Sequence, residues 1–100
     1  MIAKLGTDIA ASWDSGPQCV GPCETLRVQA RLAGFSGTLD IYQGESPTAL
    51  MLTKTSGVLT TETDSDEYYD LRPSEWIRIV VTLSAGTVPE VLVSYSPEMS

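Results

Sequence analysis

A chain of 100 residues has room for one domain and one core, and its 42% hydrophobic and 19% charged residues exclude a disordered chain. A formal net charge of −7, from 13 acidic against 6 basic residues, excludes the basic stripe with which nucleic-acid binders neutralise phosphate. The absence of histidine removes the commonest general base at neutral pH, and with it the Ser-His-Asp and Cys-His arrangements.

In chain order, residues 1–13 are expected to form an N-terminal arm or edge strand, its extended part running from Asp8 to Trp13. Residues 14–100 then form the single domain. The start, Met1-Ile2-Ala3-Lys4-Leu5-Gly6-Thr7-Asp8, lacks a basic stretch followed by an apolar run, so no signal peptide is expected. No segment reaches the ~18–20 apolar residues of a membrane span, and the scattered cations argue against anionic membranes as partners.

Cys19-Val20-Gly21-Pro22-Cys23 follows. Zinc takes about four ligands, and the sequence offers no histidine and no second cysteine pair. The spacing also departs from the C-x-x-C redox motif. It reads as a tight loop turned by Gly21-Pro22, with Cys19 and Cys23 either free or joined as a disulfide in a small ring.

Leu26, Val28, Ala30 and Leu32 alternate with Arg27, Gln29 and Arg31, the period of two that marks a strand with one buried face. Gly34-Phe35-Ser36-Gly37 is one residue short of a G-x-S-x-G nucleophile elbow and is expected to be a two-residue hairpin turn. Thr38 to Tyr42, Ala49 to Leu52 and Val58 to Thr61 supply further short strands. The acidic run Glu62-Thr63-Asp64-Ser65-Asp66-Glu67 reads as a solvated loop. It lacks the glycine and distal glutamate of an EF-hand, so no metal site is expected there.

Tyr68 to Leu71 and the β-branched run Trp76 to Leu83 are the strongest strands. Ser84-Ala85-Gly86-Thr87 reads as a turn and Val88 to Tyr95 as the closing strand, with Pro89 near its start. About seven or eight short strands at intervals of roughly 8–12 residues predict an all-β, antiparallel β-sandwich, Ig-like or jelly-roll-like. Its predicted core is Val28, Leu39, Ile41, Tyr69, Leu71, Ile77, Ile79, Val81, Val91 and Val93.

No constellation of nucleophile, base and metal emerges, so the chain is expected not to be an enzyme and to need no cofactor. The alternation that buries Ile77 and Ile79 turns Trp76 and Arg78 outward, and residues of these types anchor interfaces. Trp13, Tyr42 and Tyr68 complete the candidate binding set.

Three stretches, Gly37-Thr38-Leu39-Asp40-Ile41-Tyr42-Gln43-Gly44-Glu45-Ser46, Tyr69-Asp70-Leu71 and Trp76-Ile77-Arg78-Ile79-Val80-Val81-Thr82-Leu83, resemble small virion proteins of tailed phages. Capsid decoration (cement) proteins and related head or tail domains are the nearest in kind, over about Thr25 to Pro97. The resemblance implies a structural protein of the virion, made in the host cytoplasm. It would bind the major capsid protein or another virion protein, and form a homo-oligomer with a trimer favoured. A tail or neck adaptor is the alternative within the virion. The alternative of another class is a carbohydrate- or receptor-binding module that stacks ligand on Trp13, Tyr42, Tyr68 or Trp76.

Overall fold

The computed structural model describes residues 2–97. Eight strands appear in chain order: β1 (Ile2–Ile9), β2 (Trp13–Asp14), β3 (Gln18–Cys19), β4 (Cys23–Gly44), β5 (Met51–Thr55), β6 (Leu59–Thr60), β7 (Ser65–Leu71) and β8 (Trp76–Pro97). Every pairing is antiparallel. The all-β antiparallel class and the number of strands agree with the sequence.

The shortness of the strands does not. β4 and β8 are each 22 residues long and pair with one another from Cys23↔Pro97 to Gly44↔Trp76. β4 fuses the two strands expected over 26–32 and 38–42, and β8 fuses those expected over 76–83 and 88–95. Gly34-Phe35-Ser36-Gly37 is therefore not a hairpin turn, and Ser84 to Thr87 does not reverse the chain. Both are irregular stretches within a continuing ladder, where the register shifts between Arg31 and Gly37. A strand's local text cannot separate the two cases, because a turn and a bulge both call for glycine.

A straight strand of that length would run about 70 Å, whereas the longest dimension of the molecule is 44 Å. The ladder must bend, and the pairing partners show how far. Cys19 pairs with Trp76 at one end of β8, while Cys23 pairs with Pro97 at the other. Four residues span at most about 14 Å, so the two ends of β8 lie close together. The sheet is folded in half across the irregular stretches, and its halves form the two layers of a sandwich. The two sheets expected from sequence are thus halves of one.

β1, β2 and β3 line the outer side of β8, and β7, β6 and β5 line the outer side of β4. The first layer contains β1, the end of β8, the start of β4 and β7. The second contains β2 and β3, the start of β8, the end of β4, and β5. Within the expected arm of residues 1–13, the extended part is Ile2–Ile9 and not Asp8 to Trp13, and it lies at the sheet's edge along β8 of the same chain; Met1 lies outside the described residues. Asp8 takes a positive φ of 51° just before the row crosses the fold.

Between the layers lies one cluster built from Ile9, Val20, Leu26, Val28, Ala30, Leu32, Phe35, Leu39, Ile41, Tyr69, Ile77, Ile79, Val81, Val88, Val91 and Val93. Of the predicted core, nine of the ten residues are buried; Leu71 packs against the cluster while partly exposed. Phe35, expected in a turn, is completely buried, because the bend delivers it to the closed end of the fold. Each fully buried aliphatic or aromatic side chain contributes about 1.5–3 kcal/mol, against about 0–1 kcal/mol for an exposed ion pair. The core therefore holds the fold, and the charges on its surface do not.

Candidate functional site

Three surfaces are available: the outer face of each layer and the open end where the halves of the folded sheet meet. The five candidate binding residues do not form one patch.

On the first outer face the cross-strand register sets three rows. Arg27 lies opposite Asp70 and Ser94, Gln29 opposite Tyr68 and Leu92, and Arg31 opposite Asp66 and Glu90. The Arg27 Nε donates to Asp70 Oδ1 at 2.6 Å, and its guanidinium carbon sits 5.9 Å from the Tyr68 ring centre. Gln29 Nε2 donates to Tyr68 Oη at 3.1 Å. Lys4 pairs with Glu90 at 3.0 Å and Arg31 with Asp66 at 3.5 Å. The cations beside Asp70 and Glu90 lower both carboxyl pKa values, Asp70 through the Arg27 hydrogen bond and Glu90 through that of Lys4. Tyr68 remains 54% exposed at the rim of a shallow groove that also takes in Ile2, Thr25 and Tyr95.

The acidic run is thereby corrected. Its second half is strand, with Asp66 opposite Arg31 and Glu67 opposite Ala30. Among the described residues no three carboxylates or thiols converge closely enough to hold a metal ion.

On the second outer face Tyr42 lies opposite Arg78, whose guanidinium carbon stands 5.6 Å from the tyrosine ring centre. Asp14 accepts two hydrogen bonds from Arg78 Nε, at 2.9 and 3.1 Å, and a further one from Nη2. This fork lowers the Asp14 pKa despite some burial, with help from the Gly16 amide. Trp76 is half-buried between Cys19 and Gly44 on the neighbouring strands. Trp13 behaves differently. It pairs with the buried Val81 and packs against the core, over Gly6, where a β-carbon would come within 3.0 Å of its ring. Trp13 is packing, and no platform gathers it with Tyr68.

The open end was not legible as a site. A cleft of about 930 Å³ is walled there by Pro22, Cys23, Glu24, Gly44, Glu45, Met51, Arg72, Pro73 and Glu75, over a floor of Gln43, Thr53 and Ser74. Gln43 is 5% exposed. Its Nε2 donates to Arg72 O at 2.7 Å and to Ser74 Oγ at 2.9 Å, and its Oε1 accepts from Thr53 Oγ1 at 3.0 Å. One buried amide thus ties together the end of β4, β5 and the β7–β8 loop. The thiol of Cys23 lies 3.7 Å from Ser74 O, and both cysteines are free. Three separate stretches of sequence, within 22–24, 43–53 and 72–75, build this cleft, and no local motif announces it.

No protein-family model matches the chain, and no curated protein matches its sequence. Solved structures do match its fold. The SPBc2 prophage-derived protein YomS superposes with a TM-score of 0.64 at 11% identity, over 96% of this chain and 92% of that one. The PBSX exported protein XepA gives a TM-score of 0.59 at 15% identity, over 100% of this chain. The chain spans 38% of the length of XepA. At these identities the likeness establishes a shared fold, one that occurs in phage-derived proteins.

Proposed function

We propose that the chain is a phage structural protein, a capsid decoration (cement) protein that binds the outside of the head and reinforces it. The observation that carries this reading is the end-to-end match to the prophage-derived YomS, 96% of one chain on 92% of the other. The protein works by docking and not by catalysis, and it resides in the virion after synthesis in the host cytoplasm. Its partner is the major capsid protein, and copies associate as a homo-oligomer, with a trimer favoured. Many copies bound at once across subunit joints stabilise a shell by mass action. The outer edge of β1, which no other strand of the chain covers among the described residues, is the part offered to a neighbouring sheet.

A tail or neck adaptor is the second reading. The match of this whole chain to 38% of XepA favours it, since the fold there forms part of a longer phage-derived protein.

Particles prepared without the chain test the proposal. Heads are expected to burst at a lower temperature and to recover when the purified protein is added back. Heads of unchanged stability would overturn decoration, and assembled heads lacking attached tails would move the protein to the neck or tail.

A further inference from the structure

We infer that the open-end cleft is the docking site for an extended, basic segment of a partner protein, one that presents lysine or arginine beside small apolar side chains. The inference concerns the cleft alone and stands whether or not the partner belongs to a virion.

Charge is sorted by position in this fold. The ion pairs among the described residues use Lys4, Arg27, Arg31 and Arg78, and all four lie on the outer faces, where they neutralise Glu90, Asp70, Asp66 and Asp14. Asp40, which accepts from Thr55 Oγ1 at 2.6 Å, is the acidic residue of the second face outside those pairs. Lys54 stands over the Tyr69 ring, 5.9 Å from its centre. At the open end, by contrast, Glu24, Glu45 and Glu75 face a single cation, Arg72, and none of the three has an ion-pair partner among the described residues. The cleft therefore keeps a surplus of negative charge, and concave walls concentrate such a field.

The geometry selects the kind of cation. Because no three acidic or thiol groups converge on one point, the glutamates are separate charges around a rim and not a metal-ligand set. Separate charges suit ammonium or guanidinium groups spaced along a chain. The rim also carries Met51, 74% exposed, a flexible side chain suited to covering apolar neighbours. All five residues of β5 are exposed, and no strand covers its outer edge among the described residues. That edge offers backbone donors and acceptors to an extended segment. The floor is already fixed by the Gln43 hydrogen bonds, so little ordering opposes binding.

The test is a titration of the labelled full chain with an eight-residue peptide of alternating lysine and valine, both termini blocked, followed by NMR. Amide shifts are expected at residues 23–24, 43–46, 48–53, 72 and 74–75, with affinity falling as salt rises. The variant Glu24→Gln/Glu45→Gln/Glu75→Gln should bind about tenfold more weakly. A control with the same change in net charge, Glu62→Gln/Asp64→Asn/Glu67→Gln, should stay within about twofold of the parent. The matching glutamate–valine peptide should not bind. Equal weakening in both variants, shifts confined to the outer faces, or no binding of the basic peptide would each overturn the inference.

Discussion

Gly86 lies against the carbonyl of Gly34. A β-carbon on Gly86 would collide with that carbonyl and come within 2.7 Å of the oxygen of Ala33. Gly86 has φ +79° and Gly34 φ +58°, so the two long strands bend side by side, each at a glycine in the left-handed region. The bend in β8 therefore nests into the bend in β4, and this contact is where one sheet becomes two layers.

The two glycines differ in what surrounds them. Nothing lies within 4 Å of a β-carbon built on Gly34, so Gly34→Ala costs only the left-handed backbone penalty, about 1–2 kcal/mol. Gly86→Ala adds the collision, and we expect a loss of about 3 kcal/mol or more. On a domain of this size that lowers Tm by more than about 10 °C. Denaturant unfolding of both variants checks the order, and equal losses would contradict the nested bend.

Tyr69 offers a test of the core. Burial, together with the nearby Glu67 charge, raises its phenol pKa, and its buried hydroxyl has no hydrogen-bond partner. The adjacent Ser56 hydroxyl, the third and smallest influence on that pKa, spends its one proton on Gly57 O at 2.8 Å while accepting from Leu39 N at 2.9 Å, so it has no proton left to donate to the phenol oxygen. Removing an unpaired buried hydroxyl relieves a desolvation cost of about 1–3 kcal/mol. Tyr69→Phe is accordingly expected to leave Tm unchanged or raised, and a fall of several degrees in thermal unfolding would contradict this assignment.

The Asp14–Arg78 fork gives a pH signature. The Asp14 pKa is lowered on folding from its ordinary value of 3.8. Its contribution is therefore present above about pH 4 and is lost as pH falls through the lower folded value. Thermal unfolding across pH should show the parent more stable than Asp14→Asn at pH 7, with the gap closing below 3.8. The gap is small, because both side chains are well exposed and exposed pairs contribute little. A gap that persists unchanged at pH 2 would contradict the ion pair.

Calcium should leave Tm unchanged at millimolar concentration. Asp66 is paired with Arg31 and lies in a strand with Glu67, so the acidic run supplies no converging oxygens of the kind calcium takes. A rise of several degrees would contradict that description.

Much of the layering was legible in the sequence. Period-two alternation picked out Val28, Leu39, Ile41, Ile77, Ile79, Val81, Val91 and Val93, and all are buried. What the sequence concealed is long-range. Gly34 and Gly86 carry the usual signal of a turn, and only the partner strand decides whether the chain reverses or bends. Ser65, Glu67, Tyr69 and Leu71 alternate with Asp66, Tyr68 and Asp70, a strand pattern masked by its acidity. Tyr42 and Arg78, two of the candidate binding residues, do meet. Trp13 belongs to the same candidate set by residue type, yet its pairing with the buried Val81 turns it inward. The open-end cleft depends on Gln43, an isolated glutamine whose three partners come from two other segments.

The most direct test of the central claim is quantitative mass spectrometry of purified phage particles from the source, counting this chain against the major capsid protein. The account predicts copies in the hundreds, comparable to the capsid protein. Absence of the chain from the particles would contradict it.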